Sequence, residues 1–387
     1  MKTIVVTGGG SGGHITPVLA VAAEIKRLQP KTRVVYIGQI GDKLADIPAN
    51  DPNIDDVFTV RAGKYRRYHG ESLIQKLLDV STLYLNLRDV AYIAIGLVQS
   101  FLIMRKLKPS VVFSRGGFVS VPVTLGGKLN GVPYITHDSD STPSLANRII
   151  ARWASVHAVA LPADLYPYPA SKTVVVGVPI STNYQRVTPK LLASYRDQLG
   201  LEKAKQVLLV TGGGNGAHQL NMAVVDNAAY LLQRYPHLYI VHIAGRALEA
   251  SVDQAYQKAV PLADRNRVQV LAFINDLYRY TGAADIIIAR GGATNLAEFA
   301  AQGKACIIVP SKQLIWNVKN TDALAERNAV IKLTEAQSEQ ERRLASVISD
   351  LLDHPAKRHE LSAALATLAR PDSATELANL VLEQAGS

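Results

Sequence analysis

The chain opens with an unbroken aliphatic and β-branched run, Thr3–Val6. Short runs of the same kind recur at Arg33–Ile37, Val111–Phe113, Tyr134–Ile135, Val207–Val210, Leu238–Ile243 and Ile286–Ile288. Continuous apolar strands, as opposed to alternating ones, predict parallel sheets covered on both faces. Segments of helical period lie between them, among them Pro17–Leu28 and Leu220–Gln233. Strands alternating with helices predict an α/β fold.

The pattern occurs twice. Val6-Thr-Gly-Gly-Gly-Ser-Gly-Gly-His14 is matched by Val210-Thr-Gly-Gly-Gly-Asn-Gly-Ala-His218, and Phe113-Ser-Arg-Gly-Gly117 by Ile288-Ala-Arg-Gly-Gly292. Each glycine segment follows a predicted strand, and both members of the first pair open a predicted helix. Two copies in the same order predict two similar α/β domains. The stretch Leu161–Ser181 is rich in proline, tyrosine and small residues and lacks helical period, which places a linker there. The expected domains are residues 1–163 and 164–370, with Pro371-Asp-Ser introducing a last helix, Ala374–Gln384.

Composition narrows the function. A length of 387 residues suits about two domains, and 48% hydrophobic with 19% charged residues is a globular composition. The single cysteine, Cys306, excludes a disulfide framework or a thiolate zinc site. A net charge of +10 favours polyanionic partners: nucleic acid, phosphorylated ligands or an anionic membrane face. Nucleic acid is disfavoured, because no helix-turn-helix, zinc or RNP pattern occurs and aromatics are only 6%. The start of the chain lacks the apolar stretch and cleavage site of a signal peptide. The most apolar later stretch, Val90–Met104, is bounded by Asp89 and Arg105 and is shorter than the roughly 20 residues that span a bilayer. The expectation is a cytoplasmic protein that at most lies on a membrane surface.

A glycine turn between strand and helix presents unpaired N–H groups to an anion and lets it approach closely. Gly8, Gly10 and Gly13 fit G-x-G-x-x-G; Gly212, Gly214 and Ala217 fit G-x-G-x-x-A. Neither second strand ends in the acid that a dinucleotide ribose needs, which disfavours NAD, and the Gly-Lys-Ser/Thr of a P-loop is absent. His14 follows the first loop and suits a general base of near-neutral pKa, or a helix cap. Glu298 suits either a ribose-binding carboxylate or a dipole-stabilising acid near a helix start. In His137-Asp-Ser-Asp140 the acids sit at a strand end, the ligand edge of a parallel sheet, or else Asp140 or Ser141 caps the next helix. No second cluster supplies enough ligands for a metal.

In this order, Gly9–His14 with Pro17, Gly116-Gly-Phe118, His137–Asp140 with Leu145–Asn147, Gly212–Ala217, Phe273-Ile274 and Arg290–Glu298 resemble the glycosyltransferases of family 28. The resemblance spans nearly the whole chain. It is closest to the members that transfer N-acetylglucosamine from UDP-N-acetylglucosamine to undecaprenyl-linked muramoyl-pentapeptide (lipid I). It implies a GT-B fold, with two Rossmann-like domains of parallel sheet around an interdomain cleft and a last helix crossing back. The implied enzyme is an inverting hexosyltransferase of peptidoglycan synthesis that needs no metal or other cofactor; the alternatives are a related GT-B transferase with another UDP-sugar or lipid acceptor, or a non-catalytic nucleotide-sugar-binding homologue. On the donor side the resemblance implies Gly213, Gly214, Asn215 and Phe273, with Ile274 at uracil and Glu298 at the ribose. Ala293, Thr294 and Asn295 would meet the diphosphate and sugar, and Asn317 and Asn320 the N-acetylglucosamine. On the acceptor side it implies Ser11, Gly12, Gly13, Gly116, Gly117, Phe118, Asp140 and Asn147. His14 would act as base, or would position the hydroxyl for Asp138.

The chain departs from the family pattern at Asp138 (commonly Glu), Ser144 (often Gly), Asn317 (Gln), Gly214 (a hydroxyl residue) and Ser181 (Arg). The last two each remove a hydrogen bond from diphosphate or uridine contacts. A lipid-linked acceptor implies a peripheral protein on the cytoplasmic membrane face. Arg61, Lys64, Arg66 and Arg67, beside the apolar segments Leu73–Leu87 and Val90–Leu107, suit anionic headgroups.

Overall fold

Thirteen strands form two wholly parallel sheets in the computed structural model, which describes residues 2–9, 12–63, 80–140, 142–214 and 216–386. The first sheet contains β1 (Thr3–Thr7), β2 (Arg33–Gln39), β3 (Asp56–Val60), β4 (Val111–Ser114), β5 (Tyr134–Asp138), β6 (Val156–Val159) and β7 (Thr173–Val175). Their spatial order is β3-β2-β1-β4-β5-β6-β7. The second contains β8 (Gln206–Thr211), β9 (Leu238–Ile243), β10 (Val268–Leu271), β11 (Ile286–Ala289), β12 (Ala305–Ile308) and β13 (Ile331–Lys332), ordered β10-β9-β8-β11-β12-β13.

The chain divides into one unit of Met1–Ser181 with Asp372–Ser387 and another of Thr182–Pro371. The first unit therefore runs past the boundary expected at residue 163. The supposed linker carries β7, which pairs with β6 through His157–Thr173, Ala158–Val174 and Val159–Val175. Proline and tyrosine hid a short edge strand.

Both faces of each sheet are buried, which accounts for the unbroken apolar runs. In β1, Val6 packs with Ile25, Phe113 and Leu377 on one face, while Val5 packs with Ile37, Val112 and Tyr134 on the other. In β8, Leu208 and Val210 face one core, and Val207 and Leu209 the other. Cys306 lies inside β12, fully buried, and burial pushes its thiol pKa well up.

The helix Gly12–Leu28 begins five residues before the expected start at Pro17, so the glycine loop already belongs to its first turn. The last helix, Ser373–Gln384, docks against it: Leu377 and Val381 are fully buried, and the Thr375 hydroxyl donates to Glu24 at 2.7 Å. Val80–Leu107 is a single helix that runs through Arg88 and Asp89 and so joins the end of the first expected apolar segment to the second; residues 73–79 of that first segment lie outside the described residues. Its portion Leu85–Leu107, 23 residues, is long and apolar enough to cross a membrane, which corrects the shorter reading. One side of this helix is clamped to the first unit. A side chain at Gly96 would meet the Arg61 carbonyl, and one at Gly126 of the helix Ser120–Leu129 would meet Ser100.

Removing the last helix's central anchor should open a cavity against the first core. Leu377→Ala should cost about 2–5 kcal/mol in denaturant unfolding of the amino-terminal unit.

Candidate functional site

In an open parallel sheet, ligands bind beyond the carboxyl ends of the strands where the strand order reverses. That reversal lies between β1 and β4 in the first sheet and between β8 and β11 in the second. All four duplicated glycine segments follow these four strands.

In the first unit the two turns touch. Gly116 and Gly117 have φ of +85° and +83°, which side chains rarely adopt. A Cβ on Gly117 would lie 3.0 Å from the Gly9 carbonyl oxygen and 3.4 Å from the His14 ring. A Cβ on Gly8 would stand 2.5 Å from the His14 carbonyl oxygen. Tyr36 donates its hydroxyl to the Gly8 carbonyl from β2. Gly12, Gly13 and His14 form the first helical turn beside them, while Ser11 lies outside the described residues. Phe118 packs half-buried on the core beside Gly117.

His14 does not have the near-neutral pKa expected of it. Burial first, and then the Arg115 guanidinium, lower it to about 3, so the imidazole is neutral at physiological pH.

The end of β5 supplies a second group. His137 is fully buried, with Nε2 2.8 Å from the Gly177 carbonyl oxygen. Asp138 is also buried. Its Oδ1 accepts from Asn147 Nδ2 at 2.9 Å and from the Ser144 N–H at 3.3 Å, and its Oδ2 accepts from the Tyr168 hydroxyl at 2.7 Å. Burial raises its pKa against these hydrogen bonds and Arg115. Tyr168 stacks on His157 at 4.0 Å between ring centroids. Asn147 is fully buried and also donates to the His137 carbonyl at 2.9 Å, so it braces Asp138 from beneath. The next helix, Leu145–Ile150, is capped by Ser144, whose hydroxyl accepts from the Asn147 N–H at 3.1 Å; Asp140 does not have that role, and Ser141 lies outside the described residues. Asp140 is half-buried beyond the strand end.

In the second unit, Gly213 and Gly216 have φ of +82° and +74°, and a Cβ on Gly216 would collide with the Ala244 carbonyl. Asn215 lies outside the described residues. Gly214 faces the edge of the Phe273 ring, over which the Arg246 guanidinium sits at 4.4 Å from the centroid. Ile274 follows, half-buried, in the loop beyond β10. The helix Ala293–Gln302 has Gly292 as its N-cap and no side-chain cap. The N–H groups of Ala293, Thr294 and Asn295 are thus presented at a positive helix end. The helix Ile315–Ala325 closes one side: Asn320 donates to the Gly291 carbonyl at 3.3 Å, and Asn317 is buried with its carbonyl against Gly291.

Glu298 lies about one turn into its helix and is only 5% exposed. Burial raises its pKa to about 8, opposed by a hydrogen bond from the Tyr184 hydroxyl. Tyr184, Tyr168 and Arg246 carried no signal in the sequence, because each acts through a contact distant along the chain. Arg115 did carry one: it sits in the repeated Arg-Gly-Gly. Of the basic residues expected at a membrane, Arg61 is exposed and stacks over Tyr92 at 4.9 Å, while Lys64, Arg66 and Arg67 lie outside the described residues.

Two parallel sheets with glycine turns at both switch points define a two-unit α/β protein built for phosphorylated ligands, and the similar proteins say which family it belongs to. Residues 4–159 match the glycosyltransferase family 28 N-terminal domain and residues 207–377 match the glycosyltransferase family 28 C-terminal domain. The chain is 34% identical over 312 residues to the UDP-N-acetylglucosamine--N-acetylmuramyl-(pentapeptide) pyrophosphoryl-undecaprenol N-acetylglucosamine transferase of Clostridium kluyveri, covering 80% of this chain and 79% of that one. It is 28% identical over 381 residues to the protein of the same name from Natranaerobius thermophilus, covering 98% of each. Among solved structures, Acinetobacter baumannii MurG superposes with a TM-score of 0.68 at 23% identity, over 99% of this chain and 100% of that one. The chain belongs to glycosyltransferase family 28.

The buried Glu298 makes stability depend on pH. Its folded pKa of about 8 lies above the reference value of 4.5. Stability should therefore fall as pH rises through that window, because only the folded state keeps the proton. Glu298→Gln should remove this loss, so the Tm of the variant minus that of the wild type should widen from pH 5 to pH 8 in thermal scans.

Proposed function

We propose that the protein transfers N-acetylglucosamine from UDP-N-acetylglucosamine to the 4-hydroxyl of undecaprenyl-diphospho-muramoyl-pentapeptide, inverting the anomeric carbon. The observation that carries this reading is the match of both halves to family 28, with near-full-length relatives bearing that transferase name. The geometry supports it. The carboxyl-terminal unit holds an uncapped helix end beside a glycine turn, suited to a leaving diphosphate, and a buried carboxyl at Glu298, suited to ribose hydroxyls. Preorganised N–H groups there would meet the charge that builds on departing UDP. The amino-terminal unit holds the paired turns, His14 and Asp138.

His14 at a pKa of about 3 is a weak base by itself. An anionic acceptor beside it would offset Arg115 and raise that pKa toward a useful range. Asp138, fixed by three donors, is suited to orient the hydroxyl or take its proton. Transfer of labelled N-acetylglucosamine to a lipid I analogue tests the reading, with UDP-glucose and UDP-galactose as donor controls. Product from UDP-N-acetylglucosamine alone is expected, and no transfer to that acceptor overturns it. In the same assay Asp138→Asn should lower kcat by about 100-fold or more, the usual span of a lost acid–base group.

The same reading places the protein on the cytoplasmic face of the membrane. Supporting this, Leu87, Val98 and Leu102 are 71%, 60% and 59% exposed on the helix Val80–Leu107, at spacings that share one face with Val90 and Ile95. Exposed Arg105, Lys106 and Lys108 follow at its end. An apolar helical face with cations at its margin suits an anionic bilayer surface. Burying a Val or Leu is worth about 1.5–3 kcal/mol. Val98→Glu with Leu102→Glu should therefore weaken co-sedimentation with phosphatidylglycerol vesicles at least about tenfold, while UDP affinity stays unchanged.

A further inference from the structure

The duplicated Arg-Gly-Gly places Arg115 after β4 and Arg290 after β11, the same position in each sheet. Their surroundings differ. Arg290 is neutralised: its Nη1 meets Glu335 Oε1 at 2.9 Å and donates to the Val309 carbonyl at 2.9 Å. Arg115 is 6% exposed, its Nε has no partner, and its guanidinium forms no ion pair or hydrogen bond with a described residue. Asp138 and Asp140 act on it only at a distance, and both Asp138 oxygens are taken by Asn147, Ser144 and Tyr168. A buried, unpaired guanidinium is costly unless an anion arrives to match it.

Arg115 is not alone. Among the described residues, four of the seven buried side-chain polar atoms without a partner belong to Arg115, His137, Ser139 and Asn147. Arg115, His137 and Ser139 sit at the ends of β4 and β5 or just beyond, and Asn147 reaches the turn of Gly116 and Gly117 from the helix Leu145–Ile150. The His137 Nε2–H donates to the Gly177 carbonyl, which leaves Nδ1 a bare acceptor, whereas Arg115 Nε is a bare donor. The turn beside Arg115 touches Gly9 and His14, so the cation stands next to backbone suited to an anion.

We propose that Arg115 is a phosphate ligand, its guanidinium taking an anionic oxygen of the diphosphate on the acceptor bound by the amino-terminal unit. This deepens the reading under Proposed function and rests on it. The counterpart arginine spends its charge on Glu335, and Arg115 keeps its own for the substrate. A guanidinium presents a planar fork that fits phosphate oxygens, and an ammonium at the same place would meet them as a point charge only.

The test uses the full-length protein with Arg115→Met and Arg115→Lys. For Arg115→Met, the acceptor KM should rise about tenfold or more, as for a lost charge-assisted hydrogen bond. The KM for UDP-N-acetylglucosamine should stay within about twofold, and Tm should rise, because a buried unmatched charge is replaced by an apolar side chain. Inorganic pyrophosphate should inhibit the wild type competitively with acceptor and inhibit Arg115→Met far less. Arg115→Lys should recover part of both effects. An unchanged acceptor KM overturns the proposal, and so does a lowered Tm with both KM values moved together, the signature of a packing role. If the wild type transfers nothing to the lipid acceptor, the proposed function fails by itself. Calorimetric titration with pyrophosphate then decides Arg115 separately: binding lost in Arg115→Met supports the ligand role, and equal binding overturns it.

Discussion

Everything at the site depends on where strand order reverses. A parallel sheet that grows outward in both directions from a central pair leaves two adjacent strands whose following segments run to opposite faces, with a gap between them. Here those pairs are β1 with β4 and β8 with β11. Backbone enters each gap within contact of other backbone. Only glycine at 8, 117 and 216 avoids the carbonyl oxygens of His14, Gly9 and Ala244. The glycine pattern therefore serves packing and anion binding at once. A side chain at these positions would push apart the turns whose N–H groups a phosphate would use.

Electrostatic tension accompanies this geometry. His14 is held neutral by burial and by Arg115, Asp138 is pushed toward protonation by burial, and Glu298 titrates near 8. In each unit taken by itself, burial drives the group toward its neutral form, the kind of perturbation found at functional sites. The second sheet shows what satisfied burial looks like. His242 lies fully buried between Asn221 and Tyr256, with Nε2 3.1 Å from the amide oxygen and Nδ1 2.8 Å from the hydroxyl. That histidine has partners for both nitrogens, whereas His137 has a partner for one.

Much of the fold was legible because its signals are local. Buried parallel strands announce themselves as unbroken apolar runs, and β9 was read to the residue. The glycine segments were legible because they repeat. The edge strand β7 was not, since three residues among prolines give no period. The continuity of Val80–Leu107 was missed because the charged pair Arg88-Asp89 interrupts the apolar run, although neither residue type breaks a helix. The protonation of His14 could not be read, because its causes are burial in the folded unit first and then a guanidinium about a hundred positions away in the chain. Tyr168 and Tyr184 were hidden for the same reason: their hydroxyls reach carboxylates 30 and 114 positions distant.

The lone thiol has a practical consequence. Cys306 is sealed within the interior strand β12 and kept protonated by its apolar surroundings. Alkylating reagents and maleimide dyes should pass over the native fold. A cysteine engineered onto each unit's surface could then carry spectroscopic labels without first mutating the natural one, and the separation of the two halves could be followed during turnover.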